Sequence, residues 1–224
     1  MTKNFHIVID FDSTFVKVES LEKLAEIALD GHPDKDSVLE EISGITAQGM
    51  KGEISFRRSL DKRLKLFSFN KDHIKRLVDD LKHSVTESVR ENRDFIFSNR
   101  NNIYVISGGF EEYICPVVEE YGIEKSHVLA NKFIFNGRGE AVGFDRLNPL
   151  SLDCGKALKV KSMDMKGDTY VIGDGYTDYE IKKKGIPCKF IAFTENVKRG
   201  RVVELADHVV ADFNKFINIF NNGI

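Results

Sequence analysis

The stretch Phe5-His6-Ile7-Val8-Ile9-Asp10-Phe11-Asp12-Ser13-Thr14 decides the fold. Its first half is a short β-branched run, which reads as a strand buried on both faces, the pattern of a parallel sheet. Its second half is an abrupt acidic loop. In open α/β sheets, ligands bind beyond the carboxyl ends of the strands, so the residues after each apolar run are the ones to read. Ile103-Tyr104-Val105-Ile106 is a second such run, followed by Ser107-Gly108-Gly109. Thr169-Tyr170-Val171-Ile172 is a third, followed by Gly173-Asp174-Gly175-Tyr176-Thr177-Asp178. Three strand ends loaded with acids, hydroxyls and glycines define one site.

Between the first two strands no segment reads as β. Leu21, Leu24, Ala25 and Ala28 recur at helical spacing, as do Ile54, Leu60, Leu64 and Phe67, and then Ile74, Leu77, Val78 and Leu81. Gly31-His32-Pro33 and Ser68-Phe69-Asn70 are the expected breaks. Residues 15–84 therefore read as a helical insertion, with 1–14 and 85–224 as the core. Beyond Ile106 the pattern alternates: a helix from Phe110 to Tyr121 closed by Gly122, then Val128–Phe135 and Glu140–Phe144 flanking the hairpin signal Asn136-Gly137. Ala157–Met163 and Thr177–Lys184 read as helices, Lys189–Phe193 and His208–Val210 as strands, and Phe213–Phe220 as a closing amphipathic helix. Strands alternating with helices imply a parallel α/β sheet with right-handed crossovers.

Composition narrows the function. The 224 residues carry 33 Lys+Arg against 35 Asp+Glu, a formal charge of −2, with no basic tract to hold nucleic acid. No apolar run approaches the roughly 20 residues that span a bilayer, and Asp10 and Asp12 arrive too early for a signal peptide. The cysteines Cys115, Cys154 and Cys188 are far apart and odd in number, which suits a reducing cytoplasm. The expectation is a cytoplasmic protein, monomer or homodimer, without nucleic-acid or membrane partners; composition says nothing about its chemistry.

Asp10 and Asp12 project to the same side of a strand end, where two carboxylates cannot both ionise cheaply without a cation between them. Asp174 and Asp178 add acid at another strand end. Hard oxygen donors of this kind suit Mg²⁺. Ser107-Gly108-Gly109, read as opening a helix, makes an anion seat. A cation cluster facing an anion seat points to phosphate chemistry. Simpler readings fit less well. An Asp-x-Asp pair alone is often turn chemistry. An EF-hand loop from Asp10 needs Gly where Phe15 stands and Glu where Leu21 stands. A dinucleotide fingerprint from Gly173 has Asp178 at its third glycine.

Asp10-Phe11-Asp12-Ser13-Thr14, Ser107, Lys156 and Gly173-Asp174-Gly175-x-x-Asp178 resemble, in order, the four signature motifs of the haloacid dehalogenase superfamily of phosphatases. Glu19, Met50-x-Gly52-x-x-x-Phe56-x-x-Ser59-Leu60-x-x-Arg63, Ala130-Asn131-Lys132 and Gly143-Phe144-Asp145 extend the resemblance to its phosphoserine-hydrolysing branch. The resemblance implies a three-layer, Rossmann-like parallel-sheet core with a small helical-bundle cap inserted after the first strand. It implies Asp10 as nucleophile, forming an aspartyl-phosphate, and Asp12 as general acid/base. Ser107 and Lys156, with Gly108, Gly109 and Thr177, would hold the phosphoryl group. Asp10, Asp12 through its backbone carbonyl, and Asp174 would hold Mg²⁺, with Asp178 supporting that shell. Glu19 would meet the substrate ammonium, Arg63 its carboxylate, and Met50 and Phe56 would form an apolar lid. The implied reaction releases L-serine from O-phosphoserine, the last step of serine biosynthesis. Phosphoethanolamine, phosphocholine, a methylthio-sugar phosphate, or non-catalytic phospho-ligand sensing are the alternatives. Tyr176-Thr177 departs from the small residue and Asn of many members.

Overall fold

The computed structural model describes residues 4–51 and 53–222, so Gly52 of the cap pattern and the first three residues lie outside the described residues. Eight strands form: β1 (Phe5–Ile9), β2 (Ile103–Phe110), β3 (Val128–Asn131), β4 (Phe133–Phe135), β5 (Ala141–Phe144), β6 (Asp168–Gly173), β7 (Lys189–Phe193) and β8 (His208–Val210). Six of them make a parallel sheet in the order β3-β2-β1-β6-β7-β8, while β4 and β5 pair as a separate antiparallel hairpin.

The sheet is apolar on both faces, and alternate residues of one strand feed two different cores. Ile7 and Ile9 of β1 join Val105, Tyr170, Ile172, Ile191 and Phe193 on one side. Val8 joins Ile106, Val171, Phe190 and Ala192 on the other. On the first side pack α6 (Arg93–Asn99), α7 (Glu111–Val118) and the closing α11 (Phe213–Asn222), through Ile96, Tyr113, Val117, Phe213 and Phe216. On the second pack α8 (Gly155–Ser162), α9 (Tyr176–Lys183) and α10 (Gly200–Leu205), through Val160, Ile181 and Val202. Helices on both faces of a parallel sheet give the three-layer α/β architecture expected of the sequence.

Four helices stand between β1 and β2 before the core resumes: α1 (Ser20–Ala28), α2 (Lys35–Lys51), α3 (Phe56–Arg63) and α4 (Lys71–His83). The chain leaves and returns side by side, with Val16 bridged antiparallel to Val85 and Lys17 N–H donating to Ser84 O at 2.8 Å. Thr86 ties the junction, its hydroxyl donating to Thr14 O at 2.7 Å. α4 packs against both α1 and α7, so this segment leans on the core. A short α5 (Glu87–Glu91) and α6 follow, where no periodicity marks a helix in so short a stretch.

Two boundaries differ from the sequence reading. β2 runs through Ser107-Gly108-Gly109 to Phe110, with its register on β3 shifting between Ile106 and Phe110. The glycines thus occupy an irregular strand end instead of opening the helix, which starts at Glu111. The run Val128–Phe135 breaks at Lys132, β3 joining the main sheet and β4 the hairpin. An apolar run does not record which sheet it will join. Among the described residues no helix is long and apolar enough to cross a membrane.

Candidate active site

Register builds the site. Ile9 pairs with Val105 on one side and Ile172 on the other, so the loops after β1, β2 and β6 open at one level. Asp10 N–H donates to Ile172 O at 2.9 Å, seating the first loop against Gly173-Asp174. The chain over Phe11–Phe15 then makes one wide turn, in which Phe15 and Val16 N–H return to the carbonyls of Asp10 and Phe11 at 3.2 and 3.0 Å. Ser13 sits in the left-handed region at φ 54°, and its carbonyl is held by Asn196 Nδ2 at 3.1 Å.

Asp10, Asp174 and Asp178 are buried, with one carboxylate oxygen of each within 4.8 Å of the others. Asp10 Oδ1 accepts from Phe11 N–H and from Lys156 Nζ, both at 2.7 Å. Asp178 uses both oxygens, Oδ1 for Lys156 Nζ at 2.7 Å and Oδ2 for Gly175 N–H at 3.1 Å. Gly173 is needed here because a Cβ would come within 2.3 Å of the Asp178 carboxylate. Asp174 takes Arg199 Nε on Oδ2 at 2.9 Å and Thr14 Oγ1 on Oδ1 at 3.4 Å.

Asp12 stays out of this cluster. Its Oδ1 accepts from the N–H of Ser20 at 2.9 Å and from the Ser20 hydroxyl, at the N-terminus of α1. Burial, with help from Asp10, lifts its pKa to about 6 against those hydrogen bonds. A carboxyl that carries a proton near neutrality is suited to general acid work. Glu19 is the residue before α1, where its Oε1 accepts from Ser13 Oγ at 2.8 Å and faces Arg199 at 3.6 Å. Burial and the nearby charges of Asp12 and Asp174 push its pKa to about 8. Burial and the charge of Asp10 likewise push Asp178 to about 8, and burial holds Asp174 above the usual carboxylate range. Burial acts downward on the Lys156 ammonium, but Asp10 and Asp178 outweigh it and keep it charged.

A pocket of about 420 Å³ opens over these groups, lined by Asp10, Asp12, Glu19, Ser107, Lys156, Asp174 and Thr177 below and by Met50, Phe56 and Arg63 above. Ser107 is buried and its Oγ accepts from Gly109 N–H at 2.9 Å. Phe56 lies so close over Gly108 that a Cβ there would stand 2.5 Å from the ring. Arg63 is buried, its Nε and Nη1 reaching only Ser59 O and Thr46 Oγ1 at 3.4 Å. Burial lowers its pKa, with Glu19 acting against that. The roof is tied to the core: Arg146 forks onto Asp61 of α3 at 2.6 and 3.3 Å, and Asp153 accepts from Arg57 N–H at 3.3 Å. The residues expected from the sequence thus line one space, except Asp178, which lies behind it on Lys156 and Gly175; among the described residues Thr177 makes no side-chain hydrogen bond.

Five carboxylates, those of Asp10, Asp12, Glu19, Asp174 and Asp178, face the cations Lys156, Arg63 and Arg199. Burial and mutual repulsion hold protons on the acids of this set, and the donors are hard oxygens in a buried cluster. That set fits a divalent metal ion. Arg199 and Ser20 were not legible as site residues. Applying the strand-end rule to β7 leads toward Thr194-Glu195-Asn196, which reaches Asn196 and approaches Arg199; Ser20 carries no signal beyond its place before an apolar stripe.

Comparison with known proteins agrees with this geometry. Residues 7–181 match the family model of haloacid dehalogenase-like hydrolases. The chloroplastic phosphoserine phosphatase of Arabidopsis thaliana is 32% identical over 216 residues, covering 95% of this chain and 70% of that one. The phosphoserine phosphatase of Homo sapiens is 29% identical over 210 residues, covering 92% and 89%. Among solved structures, a phosphoserine phosphohydrolase-like protein from Francisella tularensis superposes with a TM-score of 0.85 at 34% identity, covering 96% of this chain and 98% of its own. The chain belongs to the haloacid dehalogenase-like hydrolase family.

Proposed function

We propose that this chain is a Mg²⁺-dependent phosphatase that hydrolyses O-phospho-L-serine to L-serine and phosphate. The observation that carries the reading is the pairing, in one pocket, of a Lys156-held aspartate cluster with a carboxyl and a guanidinium, Glu19 and Arg63. A phosphorylated amino acid offers an ammonium and a carboxylate to such a pair.

In this reading Asp10 attacks phosphorus in line, its carboxylate oriented by Phe11 N–H. The P–O bond to the serine oxygen breaks as the new Asp10 O–P bond forms. Asp12, held by Ser20 at the start of α1, gives its proton to the leaving alkoxide and then takes one from the water that cleaves the acyl phosphate. Ser107 Oγ and Lys156 Nζ hold phosphoryl oxygens, where positioning and charge do most of the work. The Asp10 and Asp174 carboxylates and the Asp12 backbone carbonyl would hold Mg²⁺, which would supply positive charge to the phosphoryl group. Asp178 orients Lys156 from behind. Phe56 and Met50 dry the site, and residues 15–84 act as a cap whose opening admits substrate. One chain carries every group named. Three free cysteines suit action in a reducing cytoplasm, on the serine-forming step of serine biosynthesis.

Steady-state release of phosphate from O-phosphoserine with Mg²⁺ present tests the reading. Turnover that Asp10→Asn abolishes supports it, and a purified, folded chain that releases no phosphate sinks it.

A further inference from the structure

Tyr113 is fully buried in the first core, on α7, and its side chain lines the pocket. Its hydroxyl proton meets no acceptor among the described residues, the Phe110 N–H being the backbone group that acts on its oxygen. Buried hydroxyls are nearly always paired, because an unpaired one forfeits its bonds to water. Among the described residues, His6 Nδ1, Glu112 Oε2 and Asn131 Oδ1 are also buried without partners, but none of those residues lines the pocket. Tyr113 is the one whose missing partner a ligand can provide.

Its position is specific. A Cβ on Gly109 would stand 2.7 Å from Tyr113 Oη and 3.2 Å from Ser107 Oγ, so the two hydroxyls flank the same glycine. The charges that reach the phenol are those of Asp12, Arg63 and Glu112. Burial holds the phenol well above 10, so it remains a neutral donor. An O–H donor that lines the same pocket as a buried guanidinium, with no acceptor of its own, can be half of a carboxylate-binding pair. The phosphoryl side of the pocket already has Lys156 and Ser107.

We propose that Tyr113 is a specificity-determining residue whose hydroxyl donates a hydrogen bond to the carboxylate of the substrate, alongside Arg63. This rests on the phosphoserine reading above. It makes the pocket choose amino-acid phosphates over phosphate esters without a carboxylate by two groups, since a polar site left unpaired by the wrong substrate penalises that substrate.

Tyr113→Phe tests it in the full chain with Mg²⁺. The ring keeps its packing on Phe110, Phe11 and Phe133 at centroid distances of 6.2, 6.3 and 6.4 Å, so the variant folds. L-serine release is followed to obtain KM for O-phosphoserine and the inhibition constant of inorganic phosphate, a probe that has no carboxylate. The expected result is a KM raised about ten- to hundredfold with kcat nearly kept, a phosphate constant moved less than about threefold, and a Tm unchanged or higher. Parallel losses on both ligands, or no change in either, overturn the proposal. Failure of the wild-type chain to turn over O-phosphoserine removes the function reading itself and this inference with it, a result read without the variant.

Discussion

Lys156 Nζ stands 2.7 Å from Asp10 Oδ1, and the same ammonium reaches Asp178 Oδ1 at 2.7 Å. One cation, buried at the start of α8, therefore holds together carboxylates from the end of β1 and the first turn of α9. It fixes Asp10 and balances part of an acid-rich site.

Lys156→Met removes that cation and leaves its partners unpaired. Breaking a buried ion pair from one side costs about 3–5 kcal/mol. The metal-free variant is expected to lose stability of that order in urea denaturation, with Mg²⁺ restoring part of it. Turnover is expected to fall by about a hundredfold or more, because a preorganised charge on the phosphoryl group is lost. A variant as stable as wild type without metal would show that the pair does not carry this load.

The pH response of the metal-free protein follows from three raised acids. Asp12 moves from 3.8 to about 6, Asp178 from 3.8 to about 8, and Glu19 from 4.5 to about 8. Each binds its proton more tightly folded than unfolded, so the contribution is present below the unfolded values and is lost as pH rises through the folded ones. In EDTA, Tm should fall steadily between pH about 5 and about 8. Added Mg²⁺ should raise Tm more at the upper end, since its ligands must be deprotonated. A flat Tm across that window, with an equal gain from metal throughout, contradicts the assignment.

Arg199 Nε occupies Asp174 Oδ2 at 2.9 Å, and its guanidinium also faces Glu19 at 3.6 Å. A fixed positive charge on a ligand oxygen opposes a second cation at close range. Arg199→Gln is expected to tighten Mg²⁺ binding by about fivefold or more in titration calorimetry, measured without substrate. Weaker binding would mean that Arg199 positions Asp174 instead of competing for it.

Gly108 has no room for a side chain under Phe56, whose ring would meet a Cβ at 2.5 Å. Gly108→Ala should push the ring off the pocket, at about 1–3 kcal/mol of strain if the cap stays seated. The expected reading is a KM for O-phosphoserine raised several-fold, and partial rescue by the added change Phe56→Leu. Additive losses in the double variant would place the effect of Gly108 elsewhere.

Much of this site was written in the chain itself. Two-faced burial explains why Ile7-Val8-Ile9 reads as a central strand, and the rule that ligands sit past strand ends leads to Asp10, Ser107 and Asp174 without coordinates. Lys156 and Arg63 were reached only through the family pattern, since each lies among other basic residues. The extension of β2 through Gly109 and the split at Lys132 were not legible, because strand ends and sheet membership depend on neighbours far along the chain.

The sequence by itself determined the order of elements, the helical stretch after the first strand and the types of group that gather at the strand ends. Periodicity and residue chemistry are local, and they survive without a structure. Tertiary structure alone decided which partner each carboxylate meets. Asp10 and Asp12 are two residues apart, yet one is locked to Lys156 and the other to Ser20, because the wide turn that begins at Phe11 presents them to different neighbours. It also brought Arg199 onto Asp174 and left the buried Tyr113 hydroxyl without an acceptor among the described residues. Such pairings join positions far apart in the chain, and only close packing sets the distances that hold one acid against a cation and another against a hydroxyl.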